Sequence, residues 1–250
     1  VAVLFQFVLR LAFGLALSMA ISPPSKITSG FFRNHLYVTL GLCVLAALVA
    51  FSAPEHFHYG LPLAGAVLSY VGSVIWLYEK RTAGRVALLL VAAVALAGAT
   101  FGGTAPLTSG GAATMLRLLD PLAGGLVLGT TITAMFLGHW YLNTPTMQLG
   151  PLRRLLVAMV VAVVLRAGLC GAGLALETSA SAIESSQWWF LALRWTSGIA
   201  IPLVLTWMTW KTLQIPNTQS ATGILYVAVI TTFTGELTAQ LLSAHSAFPL

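Results

Sequence analysis

Apolar residues run through this chain in long blocks, broken at short intervals by clusters of Pro, Gly, Ser, Thr and charge, with no period-two alternation of the kind barrel strands show. The blocks fall at about 2–21, 35–53, 62–78, 86–101, 117–141, 155–176, 188–210 and 221–243. Lengths of about 18 to 25 residues suit α-helices that cross a bilayer, because hydrocarbon forces each segment to satisfy its own backbone hydrogen bonds. Punctuation falls between them: Pro23-Pro24, Pro54, the Gly/Thr/Ser stretch 102–112, and the pair Pro145 and Pro151. Trp188-Trp189 and Trp207/Trp210 bracket the seventh block as interfacial anchors would. The expectation is an all-α, polytopic integral membrane protein: one domain, 1–250, forming a bundle of about eight transmembrane helices with short loops.

Composition agrees: 58% of the 250 residues are hydrophobic and 7% charged, whereas soluble domains carry about 25% charged residues. Val1–Ile21 is too long for a signal-peptide apolar core, and Arg10 interrupts it, so it reads as a membrane helix. Cys43 and Cys170 lie in apolar blocks without CxxC or CxxCH spacing, so neither a disulfide, a zinc site nor covalent haem is indicated.

The formal charge of +6 is spread over the chain rather than gathered into a patch, which argues against nucleic acid. Lys26, Arg33, Lys80, Arg81, Arg85, Arg153, Arg154 and Lys211 all fall in the odd-numbered loops, against one acid, Glu79. The even loops hold Glu55, Glu177 and Glu184, with Arg117 at the boundary of the fourth. The positive-inside rule then places the odd loops in the cytoplasm and both termini outside, in a bacterial-type inner or cytoplasmic membrane. No period of 20 to 50 residues repeats, and the first four spans do not align with the last four as inverted halves.

Six charges remain within or at the edges of spans: Arg10, Arg117, Asp120, Arg166, Arg194 and Glu236. A charge at mid-bilayer costs at least about 2.5–3.5 kcal/mol, so such groups face a bundle interior and find partners. Arg194 and Glu236 each lie roughly 10 Å below the outer end of their spans and can pair. Thr232, Glu236 and Gln240 form one stripe on the eighth span; Gln6, Arg10 and Gly14 form another on the first. A buried ion-pair lattice, a proton path, or an anionic or quinone headgroup site in the outer half would each use these residues.

His139 lies about 28 Å along the fifth span from Asp120, at the opposite face. With His35 at matching depth it could supply axial nitrogens to a b-type haem; alternatively His139 or Tyr141 could hydrogen-bond a quinone carbonyl, or serve as an aromatic-belt residue. In the loop 54–60, His56 and His58 beside Glu55 form a weak metal half-site, with His245 the one other outer histidine. Phosphate-loop, GxSxG, HExxH and calcium-loop motifs are absent, so any catalysis lies in the membrane or in a partner.

The leading functional expectation is an integral membrane subunit of a multi-subunit respiratory or electron-transfer complex, anchoring redox partners and contacting quinone or haem b. Its outline parallels the eight-span quinone-interacting anchor subunits of respiratory enzymes, by analogy of fold alone. The alternatives are a small-solute or proton-coupled carrier and a purely structural membrane subunit.

Overall fold

The computed structural model describes residues 1–102, 111–144, 147–180, 185–215, 217–244, 246 and 248–250. Pro145, Glu184, His245 and most of the 102–112 loop lie outside the described residues. The helices are α1 (Ala2–Ile21), α2 (Ser29–Ser52), α3 (Gly60–Leu77), α4 (Arg81–Phe101), α5 (Ala112–Asn143), α6 (Gly150–Ala180), α7 (Ser185–Trp195), α8 (Ile201–Thr212) and α9 (Thr218–Ser243). A π-helical turn, Thr196–Ala200, joins α7 to α8. Among the described residues, eight segments are long and apolar enough to cross a membrane, the seventh running from α7 through α8.

Helix ends follow local chemistry. Ser22 turns extended after α1, and its hydroxyl donates to the Ser18 carbonyl at 2.8 Å. Asn217 caps α9 by accepting from the Ser220 N–H at 3.0 Å. Between α3 and α4 the turn is so tight that Glu79 adopts φ 55°, the left-handed region that disfavours a side chain. At the same end Arg85 Nε donates to the Ala20 carbonyl (2.8 Å) and Arg153 Nη2 to the Leu213 carbonyl (2.9 Å). Two of the loop cations therefore satisfy carbonyls at the C-terminal ends of neighbouring helices, where positive charge is favoured.

Several boundaries differ from the sequence expectation. α5 begins at Ala112 rather than 117 and continues through Pro121, and α6 runs from Gly150 to Ala180 rather than over 155–176. The seventh span is not a uniform helix. Pro202 has no N–H to give the Gly198 carbonyl, and the turn before it widens to a π-helix.

α1 and α5 are the centre of the bundle. Buried residues make up 78% and 83% of their most apolar windows, against 33% to 44% in the other six spans. Their contact is made by glycine: a Cβ on Gly14 would collide with the Gly125 carbonyl, and one on Gly129 with the Gly14 backbone. With no hydrophobic drive between helices in lipid, such backbone approach maximises dispersion contact.

Around this axis the helices form two rings. α1 packs on α2 and α4, with α3 closing the ring; α5 packs on α6 and α9, with α7–α8 closing the second. Each half holds four spans, so the second starts from the same membrane face as the first. Any correspondence between the halves is therefore parallel, not inverted. Local sequence supports this: Leu11-Ala12-x-Gly14-Leu15-x-Leu17 recurs as Leu122-Ala123-x-Gly125-Leu126-x-Leu128, and Gly30, Arg33 and Leu36 of α2 match Gly150, Arg153 and Leu156 of α6. Gly14 and Gly125, equivalent in this alignment, are the residues in contact.

Candidate functional site: a buried charge cluster beside a cleft

The four helices that meet at the terminal end of the bundle, with α7, bring five charged side chains into one cluster. Asp120 on α5 accepts from two guanidinium groups: Arg10 Nη2 of α1 at 2.5 Å on Oδ2, and Arg166 Nη1 of α6 at 2.5 Å on Oδ1. Arg166 then forms a fork with Glu236 on α9, Nε to Oε1 and Nη2 to Oε2, both 2.9 Å. Arg194 of α7 approaches Glu236 Oε1 with Nη2 at 3.5 Å, and the same nitrogen lies 3.1 Å from Cys170 Sγ. Arg166, Arg194 and Glu236 are 0% exposed.

Glycine makes the room. A Cβ on Gly124 would lie 2.7 Å from Glu236 Oε2 and 3.4 Å from Arg10 Nη1, so the bare backbone of α5 forms one wall of the cluster. On the far side, Gly198 in the π turn and Gly235 on α9 cross with their backbones touching. That crossing brings Arg194, one turn before Gly198, to the level of Glu236.

Among these five side chains three guanidinium groups face two carboxylates, an excess of one positive charge, and Arg194 Nε also donates to the buried Leu250 main-chain oxygen at 3.4 Å. Among the described residues, Nε and Nη1 of Arg10 have no hydrogen-bond partner, and neither does Arg194 Nη1. Arg10 also lines a cleft of about 390 Å³ between α1, α4, α5 and α9, together with Gln6, Arg117, Asp120 and Gln240. Arg117 reaches the Ser246 carbonyl at 3.5 Å. Gln6 Oε1 and both amide atoms of Gln240 are buried and unpartnered among the described residues. Ala2, Val3, Ala99, Pro121 and Phe248 supply apolar walls. A concave site of this size, mainly apolar with a few convergent polar groups, has the build of a small-molecule pocket.

The two polar stripes end in different places. Glu236 and Gln240 enter the cluster and the cleft, whereas Thr232 Oγ1, 0% exposed at the residue level, has no partner among the described residues. Gln6 and Arg10 line the cleft, while Gly14, on the same stripe, is the contact with α5.

At the opposite end, His35 and His139 make separate contacts. His35 Nδ1 lies 2.6 Å from the Phe31 carbonyl, and its ring packs against Phe31 and Phe136, with centroids at 4.3 and 4.4 Å. His139 is exposed and its Nδ1 lies 3.4 Å from the Tyr226 hydroxyl of α9. Tyr141 is 1% exposed and donates to the Gln148 carbonyl at 2.6 Å, pinning the α5–α6 hairpin. In the α2–α3 loop, His56 Nδ1 lies 4.0 Å from Glu55 Oε1 with both side chains largely in the open. The His58 N–H donates to the Gly102 carbonyl at 2.9 Å. Among the described residues, no three His, Cys, Asp or Glu side chains are placed to hold a metal ion.

Eight apolar spans closed around a buried, unequal set of charges define a polytopic α-helical membrane protein. No protein-family model, curated protein or solved structure matches the chain.

The cleft itself was beyond sequence reading, as was the role of Gly124. A signal for both was present in the spacing: Asp120 and Gly124 stand one turn apart on α5, next to the Gly125/Gly129 pair that the Gly14 stripe of α1 must meet.

Proposed function

We propose that this membrane protein binds a small organic anion in the cleft beside Arg10 and acts as a carrier or receptor for that solute. One observation carries the reading: a guanidinium buried to 6% exposure, anchored on Asp120 through Nη2 and belonging to a residue that lines the cleft, has no partner for Nε and Nη1 among the described residues. Unsatisfied buried donors are rare and call for an acceptor. A carboxylate or phosphate supplies both the acceptor oxygens and the negative charge that the cluster lacks. Gln6 and Gln240 then add amide hydrogen bonds, and the apolar walls accept an aliphatic or aromatic body. By the positive-inside rule the cleft opens on the outer face.

The test is a thermal-shift and titration series on the purified protein with short-chain and aromatic carboxylates, phosphate monoesters, and neutral and cationic analogues of the same bodies. Anions should stabilise the protein selectively. The Gln240→Leu variant, which leaves the charge cluster intact, should weaken binding about 5- to 10-fold through one lost hydrogen bond. Equal responses to anions and to their neutral analogues would defeat the proposal.

A second reading draws on the same geometry. Amide and guanidinium donors beneath apolar walls also suit the carbonyl oxygens of a quinone, which would make the chain a membrane subunit of an electron-transfer complex. Displacement of the bound anion by a short-chain quinone, together with co-purification of redox subunits, would favour it.

A further inference from the structure

A second concavity, of about 440 Å³, lies between α6 and α8 on the outside of the bundle, in the half remote from the charge cluster. We infer that it is a binding site for one anionic phospholipid, with an acyl chain in the groove and the phosphate at its basic mouth.

The walls are Val157, Val160 and Val161 of α6 and Leu203, Trp207 and Trp210 of α8. Leu156 and Thr206 form the floor, 1% and 2% exposed. The threonine hydroxyl is already spent on the Pro202 carbonyl at 2.6 Å and on Met159 Sδ at 3.3 Å. Apart from the indole N–H groups of Trp207 and Trp210, the groove therefore offers no free hydrogen-bonding side chain and is shaped for hydrocarbon. From Trp210 to Leu203 it runs about 10 Å along the helix axis, against roughly 15 Å for one leaflet of hydrocarbon. That is the reach of the upper part of an acyl chain.

The mouth decides which lipid. Arg153 lies one turn before Leu156 and Val157, on the same face of α6, and its Nη2 is held by the Leu213 carbonyl at the end of α8. The guanidinium therefore bridges the two helices where the groove reaches the headgroup layer. Arg154 and Lys211 flank it, both exposed. Among the described residues neither makes an ion pair. Trp207 and Trp210, 61% and 37% exposed, take the position of interfacial anchors. Basic pockets between membrane helices recruit anionic headgroups in this manner.

The repeat sharpens the case. α2 and α3 occupy in the first half the places of α6 and α8 in the second, and there the seam is shut. A Cβ on Gly65 would lie 2.9 Å from Cys43 Sγ, and one on Gly72 would lie 3.2 Å from Leu36, the counterpart of Leu156. The second half has bulky Leu203 and Trp207 facing α6 instead, and α8 stands off.

Reconstitution with phospholipids dibrominated on the acyl chain tests this, because bromine quenches tryptophan only at contact. Brominated phosphatidylglycerol diluted into unlabelled phosphatidylcholine should quench more strongly than brominated phosphatidylcholine at equal fraction. The component lost in Trp207→Phe/Trp210→Phe assigns that excess to the groove. Arg154→Gln/Lys211→Gln keeps the Arg153 tie intact and should lower the preference by about 5-fold per charge removed. Equal quenching by the two lipids, a preference indifferent to the charge variant, or no quenching of Trp207 and Trp210 by either lipid would each overturn the inference. The last outcome would mean that protein covers the groove.

Discussion

Replacing Glu236 by Gln removes the anion that two buried guanidinium groups share while leaving its volume in place. In the native cluster Glu236 accepts both 2.9 Å bonds of the Arg166 fork and the 3.5 Å approach of Arg194. A glutamine keeps one acceptor oxygen and turns the other position into a donor aimed at a donor. The cluster moves from three cations and two anions to three and one, at 0% exposure. Breaking a buried pair by removing one partner destabilises by about 3–5 kcal/mol, chiefly because the remaining charge is left uncompensated. The expected loss for Glu236→Gln lies in that range. Combining it with Arg166→Met removes the stranded charge as well. The double variant should then be more stable than the sum of the single effects implies, by about 1–3 kcal/mol. Equilibrium unfolding in mixed micelles, followed by tryptophan fluorescence, gives the three free energies. A loss below about 1 kcal/mol for Glu236→Gln, or strict additivity in the cycle, would refute the view that these charges form one interdependent unit.

Further outcomes follow from the same geometry and can be read by the same unfolding assay. Gly124→Ala places a methyl group 2.7 Å from Glu236 Oε2, so overpacking of about 1–3 kcal/mol outweighs the helix-propensity gain of about 1 kcal/mol, with a parallel loss of anion binding. Gly168→Ala meets nothing within 4 Å and should be neutral or stabilising by up to about 1 kcal/mol. Glu79→Gly relieves the left-handed turn between α3 and α4 and should stabilise by about 1 kcal/mol. Tyr141→Phe loses the bond to the Gln148 carbonyl and should cost about 1 kcal/mol, leaving ligand binding in the distant cleft unchanged.

Spans could be read from sequence because lipid leaves a helix no alternative, and charge placement inside them because an isolated charge is so expensive. Depth along the helix axis was enough to bring Arg194 and Glu236 to one level, and the structure has them 3.5 Å apart. With the fifth span taken to begin at 117, Asp120 falls at its outer end, away from Arg10 and Arg166 near the middle of theirs. With α5 starting at Ala112, Asp120 lies about 12 Å in, level with both arginines. Pro121 lies inside α5, where neighbouring helices tolerate a proline by satisfying the freed carbonyl by other means. The repeat escaped because its halves are parallel and its matching windows are short. The offset between equivalent residues also changes, from 111 residues at Gly14/Gly125 to 120 at Arg33/Arg153, as the connecting loops differ in length. Gly168 of α6 faces open space, whereas Gly173 on the same helix abuts the Pro249 carbonyl. Which glycine serves a crossing depends on the partner helix, which composition does not name.

The central position of α1 has a consequence in time. Arg10 emerges with the first helix, but its carboxylate, Asp120, follows 110 residues later on α5. At synthesis rates of about 5–20 residues per second, roughly 5–20 s pass before the partner exists. Throughout that interval a membrane-inserted α1 carries an unmatched cation and a bare glycine surface. The N-terminal four-helix ring therefore acquires the carboxylate for Arg10 and the backbone that packs on Gly14 only when α5 arrives.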